Sequence, residues 1–211
     1  MLVLGLTGSI GMGKSTAAAM LRRMGLPVHD SDATVHRLMG RHGKALPAIE
    51  AAFPGVVGPG GADRGILGQR VFGDRQALAR LEAILHPLVR ADSQRFLDCM
   101  RRRRRTVAVL DIPLLFEAGR RGGVDHVLVV SAPALIQRQR VLARPGMTEA
   151  RLDAVLARQM PDREKRRRAD IVIPSGLGRA VTFRALKAAV RRLKRRSGPP
   201  SPPSRQEPAD A

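Results

Sequence analysis

Tryptophan and tyrosine are absent from this 211-residue chain and phenylalanine occurs only five times, so a bound nucleotide base has to be held by aliphatic, arginine or backbone groups. The same shortage argues against a reader of single-stranded nucleic acid, which stacks bases on aromatic side chains. A lone cysteine, Cys99, closes no internal disulfide and fits a reducing compartment. No cysteine–histidine grouping has the spacing of a structural zinc site. No apolar run approaches the roughly 20 residues of a membrane span, and the opening "MLVLGLTGSI" lacks the basic leader and the length of an export signal. A cytoplasmic protein that works without a membrane or a structural metal is expected.

What the chain has in excess is positive charge. Its 38 basic and 18 acidic residues leave a formal net charge of +20, and only five of the basic residues are lysines, so 33 are arginines. These are scattered over many segments, as a compositional bias towards arginine would leave them, and a polyanionic small substrate accounts for part of the rest. Nucleic acid is not the expected partner. With 44% hydrophobic and 27% charged residues the composition is that of a folded globular protein. The length suits one α/β core with a small inserted lobe and is too short for two full-sized domains.

Short apolar runs alternate with amphipathic stretches. "LVLGL" (2–6), "PVHD", "TVAVLDIPLL", "DHVLVVSA" and "ADIVIPSG" read as strands. Between them, "KSTAAAMLRRMG" has helical spacing and stops at Gly25, and helices are also expected over "DRQALARLEAILH", "PLVRADSQRFLDCMRRRRR", "PALIQRQRVLAR", "TEARLDAVLARQM" and "RAVTFRALKAAVRRLKRR". Pro87 suits the first turn of a helix. Residues 43–61, rich in glycine and proline, read as a loop-bearing lobe rather than sheet, and the run Arg101 to Arg105 as a solvated helix end. Strands separated by helices imply a mostly parallel sheet that binds ligands at the carboxyl ends of its strands.

At the first strand end stands Gly8-Ser9-Ile10-Gly11-Met12-Gly13-Lys14-Ser15, a full match to G-x-x-x-x-G-K-[ST]. Glycines let the backbone curl until successive N–H groups face one phosphate, and the following helix points its positive end the same way. Gly11, Met12, Gly13, Lys14, Ser15 and Thr16 are therefore expected to bind nucleotide, with the Lys14 ammonium on the outer phosphates and the Ser15 hydroxyl on Mg²⁺. No guanine-reading N-K-x-D segment accompanies the loop. At the second strand end "HDSDATVHR" offers Asp30 and Asp32, where a carboxylate can take the proton of an acceptor hydroxyl in phosphoryl transfer. The competing assignment makes both aspartates helix caps.

In order and at matching intervals, "GLTGSIGMGKST", "PVHDSDATVHR", "LEAILHPLVR", "DIPLLFEAG", "VLVVSAP", "QRQRVLAR", "RQM" and "ADIVIPSG" resemble the dephospho-coenzyme A kinase family over about residues 2–195. The resemblance implies an α/β fold of the P-loop NTPase type, with a parallel five-stranded sheet flanked by helices, a helical substrate lobe and a helical lid. It implies a single kinase domain over 1–196, with its core at 1–32, 106–134 and 169–196, its lobe at about 33–105 and its lid at about 135–168; the Pro and Ser content of 197–211 reads as a disordered tail. ATP with Mg²⁺ and dephospho-coenzyme A are the implied partners, the 3′-hydroxyl of the ribose the acceptor, and a monomer the expected state.

Position by position, the resemblance makes Asp32 the base and His86, of the "HP" pair, a substrate contact. Asp111, at the end of a strand, becomes a Mg²⁺ ligand through water, and Glu117 a support for the loop that follows it. Arg140 and Arg144, four apart on an expected helix, become lid groups that neutralise the moving phosphoryl charge, with Arg140 catalytic and Arg144 on the nucleotide. Where the family often has asparagine after the last strand, this chain reads Ile173-Pro174-Ser175-Gly176, leaving Ser175 and backbone groups for the adenine. Another small P-loop kinase, of the nucleoside monophosphate or shikimate type, and a basic ATP-responsive nucleic-acid-binding protein are the alternatives.

Overall fold

The computed structural model describes residues 1–117 and 123–196; the tail expected at 197–211 lies outside the described residues. Five strands, β1 (Leu2–Thr7), β2 (Val28–Asp30), β5 (Val107–Asp111), β6 (His126–Ser131) and β7 (Ile171–Pro174), form one sheet in the order β2-β5-β1-β6-β7. Every neighbouring pair in it is parallel. The strands are short apolar runs because both faces are covered. Leu2, Leu4, Leu6, Val109, Leu128 and Val130 pack on one side with helices α1 (Lys14–Arg23) and α9 (Arg179–Arg196). Val3, Ala108, Leu110, Val127 and Val129 pack on the other with Leu97, Met100 and Phe116. The register pairs Leu6 with Asp111 and Asp30 with Asp111, so the carboxyl ends of β1, β5 and β2 finish at one edge.

A third apolar cluster lies away from the sheet. It is built from α2 (Ser31–Met39), α3 (Leu46–Ala52), α4 (Arg64–Val71) and the first half of α5 (Arg75–Arg102), around Leu38, Ile49, Phe53, Leu67, Leu81 and Leu85. Two expectations change here. Residues 43–61 hold α3 and the start of a two-stranded hairpin, β3 (Val57–Gly58) with β4 (Gly61–Ala62). Pro87 lies inside a single 28-residue helix and does not open a second one. Proline has no N–H for the carbonyl one turn back, but α5 is held on both sides of it, by Leu81 and Leu85 in the outer cluster and by Leu97 and Met100 against the sheet. After β6 come α6 (Ala134–Leu142), α7 (Glu149–Ala157) and α8 (Asp162–Arg168). The last of these, "DREKRRR", has no helical apolar pattern to announce it.

Candidate active site

A cavity of about 490 Å³ opens at the carboxyl edge of the sheet, floored by residues 8–11 and 13–16. Gly13 caps α1 in the left-handed region at φ 86°, a conformation that glycine adopts without penalty. No side chain caps this helix and its first turn holds no acid, so its leading N–H groups face the cavity without a competing anion.

The opposite side of the loop is braced by side chains from distant elements. Gln137 Nε2 donates to the Ile10 carbonyl oxygen at 2.7 Å, Arg140 Nη1 to that of Gly11 at 3.5 Å, and Ser175 Oγ to that of Met12 at 2.6 Å. Three successive carbonyls are thus held outward, while the N–H groups of Ile10 and Met12 are engaged by Gln159 and by the Ser9 carbonyl oxygen. At Gly11 (φ 76°) α6 presses so close that a Cβ would come within 2.6 Å of Val141 Cγ2. The Met12 side chain is buried, its Sδ accepts the Ala132 N–H, and this residue is not among those that line the cavity.

Lys14 reaches back across the strand ends and pairs with Asp111 at 2.7 Å. Burial pushes the Asp111 carboxyl above its ordinary value, the Lys14 ammonium opposes that rise, and the charges of Asp30 and Asp32 add to it. Asp30 is the N-cap of α2, its Oδ1 accepting the Ala33 N–H at 3.0 Å, and the helix starts at Ser31. Asp32, in the first turn, is exposed and lines the cavity together with Lys14 and Ser15. One of the two aspartates serves the helix and the other faces the phosphate loop.

The model of the dephospho-CoA kinase family matches residues 2–177. This chain belongs to that family. A dephospho-CoA kinase of Mesorhizobium japonicum is 59% identical over 198 residues, which cover 94% of this chain and all of the relative. Among solved structures, TT1252 from Thermus thermophilus superposes with a TM-score of 0.78 at 38% identity, covering 91% of this chain and 97% of that one. A dephospho-CoA kinase from Campylobacter jejuni shares the fold, with a TM-score of 0.62 at 22% identity, covering 90% and 96%. The architecture is therefore that of a P-loop kinase.

Other site residues expected from the family fall into two groups. Thr16, Arg140, Arg144 and Ser175 line the cavity. Arg144 lies just beyond α6, which ends at Leu142, so the two arginines do not share one helix. Arg140 is already engaged: Nη2 donates to the Ser175 carbonyl oxygen at 2.6 Å and Nη1 to Ser175 Oγ at 3.1 Å. The Ser175 hydroxyl donates to the Met12 carbonyl oxygen and accepts from Arg140, which makes it a brace for the loop at the cavity wall. His86 stands exposed on α5 and is not among the residues that line this cavity.

The family's sequence pattern left several contributors unassigned. Gln159 lines the cavity and accepts the Ile10 N–H at 3.0 Å. Arg179 and Thr182, at the start of α9, line it too. Beside Asp32 in sequence, the buried His29 donates from Nε2 to Asp92 on α5 at 2.9 Å, and Asp92 also takes hydrogen bonds from Thr34, Arg37 and Arg95. Beneath α8, Lys165 is wholly buried and pairs with Glu117 at 2.8 Å, while Glu117 accepts the Met160 N–H. Glu117 thus joins the segment after β5 to Met160 and Lys165, while the loop that follows it lies outside the described residues, and Lys165 stands apart from the solvated Arg166, Arg167 and Arg168.

Proposed function

We propose that this chain transfers the γ-phosphoryl group of ATP to the 3′-hydroxyl of the dephospho-coenzyme A ribose, the step that completes coenzyme A. What carries the reading is one cavity that joins an uncapped phosphate loop to Asp32, in a chain of this family. In this reading the loop amides and Lys14 hold the ATP phosphates, so Lys14 exchanges Asp111 for the phosphates as ATP enters. Asp32 accepts the acceptor hydroxyl's proton and orients its oxygen for in-line attack. Arg140 and Arg144 place positive charge beside the transferring group.

Mg²⁺ binds few protein carboxylates and completes its shell with phosphates and water. The Ser15 hydroxyl beside the loop and the Asp111 carboxylate behind Lys14 fit that donor set and would hold it. When bound, it neutralises charge on the β- and γ-phosphates. Residues 33–105 act as the acceptor lobe, with His86 on its long helix, and 135–168 act as the lid around a core of 1–32, 106–134 and 169–196.

An acceptor screen tests the assignment. With Mg-ATP, dephospho-coenzyme A should stimulate ADP release and yield coenzyme A, while nucleoside monophosphates and shikimate should not. Efficient phosphorylation of either of those, with dephospho-coenzyme A inert, would show the acceptor to be wrong.

A further inference from the structure

The peptide of Ile10 is gripped from two sides by glutamines to which the kinase reading gives no role. Gln159, between α7 and α8, accepts its N–H, and Gln137 on α6 donates to its carbonyl oxygen. Their surroundings differ. Gln137 is buried and does not line the cavity, whereas Gln159 is half-buried and lines it with Lys14, Asp32 and Arg140.

A carboxamide carries one acceptor oxygen and an NH₂ group with two donors. The Ile10 N–H can only donate, so it fixes which end of the Gln159 side chain is oxygen. The NH₂ group then has no hydrogen-bond acceptor among the described residues. Ile10 occupies the lip of the loop, ahead of the amides at the start of α1 that cradle the inner phosphates, so a donor anchored there faces the outermost one.

Resting on the kinase reading above, we propose that Gln159 is a γ-phosphate contact: held by the Ile10 amide, its NH₂ group donates hydrogen bonds to the terminal phosphoryl group of ATP. It transfers no proton. Its bonds strengthen as charge shifts during transfer, and they tie the segment between α7 and α8 to a filled phosphate site.

The test uses the full chain and compares affinities for ATP and ADP, without acceptor, in Gln159→Leu, Gln159→Glu and Gln137→Leu. Hydrogen bonds to a charged group are worth about ten- to a hundredfold in affinity. Gln159→Leu should therefore weaken ATP by about tenfold or more beyond whatever the lost Ile10 bond costs both nucleotides, and lower kcat. Gln159→Glu keeps an acceptor for the Ile10 N–H but no donors, so it should lose the same discrimination, and it carries the test if the leucine variant does not fold. Gln137→Leu, which loosens the loop without removing a cavity donor, should weaken both nucleotides alike. Equal losses of ATP and ADP in the Gln159 variants, or wild-type discrimination in Gln159→Glu, would make Gln159 a brace only and overturn the assignment. Wild-type protein that binds neither nucleotide would instead sink the kinase reading itself.

Discussion

Two carboxylates leave the same strand end two positions apart, and only Asp30 is committed to the backbone. Its extended conformation (φ −107°, ψ 110°) makes it the cap, which frees Asp32 for the cavity. Replacing Asp32 by asparagine should leave ATP affinity within about twofold while lowering turnover by about 10²–10⁴-fold, the loss expected of a general base. Near-normal turnover in steady-state assays would make Asp32 a bystander. From sequence the pair was visible and the resemblance named Asp32 as the base, but that Asp30 is the residue that caps was not legible, because both sit where a cap is at home. The phosphate loop was fully legible, since its chemistry depends on spacing within eight residues. Gln159 was illegible for the opposite reason: its partner, Ile10, lies 149 positions away, and only the closed fold brings them together.

Among the elements, α8 and α5 depart most from what their residues announce. "DREKRRR" resembles a solvated charge run, yet Lys165 is buried on Glu117. Removing the buried Lys165 strands the half-buried Glu117, so Lys165→Ala should destabilise the fold by about 1–3 kcal/mol in urea titrations. A loss under about 1 kcal/mol would place the pair in effective contact with water. In α5 the apolar spacing was readable on both sides of Pro87, but continuity through it was not, because packing against two separate clusters overrides a local interruption.

Asp92 sits on the sheet-facing half of that helix. Burial alone would raise its carboxyl, but hydrogen bonds from His29, Arg95, Thr34 and Arg37 outweigh it and hold it well below the usual carboxylate range. A carboxyl lowered in the folded state stabilises the protein fully above its unfolded value of about 4, and that contribution fades as the pH falls from there towards the folded value. Wild type should therefore exceed Asp92→Asn in stability by a constant margin above about pH 5, and the margin should shrink below about pH 4. A margin that stays flat down to pH 2 would show that the ionised form contributes nothing.

For the whole molecule, the excess of positive charge works against compactness. At low ionic strength like charges repel over about 30 Å, a range that shortens to about 10 Å at 0.1 M salt. The thermal midpoint should rise with added sodium chloride, and a gain of about 1 kcal/mol would appear as about 2–4 °C in a chain of this size. A midpoint that is flat or falls with salt would mean that the surface ion pairs outweigh the repulsion. At this scale the sequence announced the strand and helix alternation and the strand-end location of the cavity, because buried strands are apolar runs. It did not announce the packing of the outer cluster, whose hairpin and short helices carry weak local signals. The continuous α5 has a mechanical corollary. It rises about 27 Å between Asp74 and Asp92, so a pivot of about 10° at the Asp92 junction would sweep its outer end through about 5 Å. A displacement wide enough to admit or seal off a substrate therefore needs only a small change of angle where the helix meets the sheet.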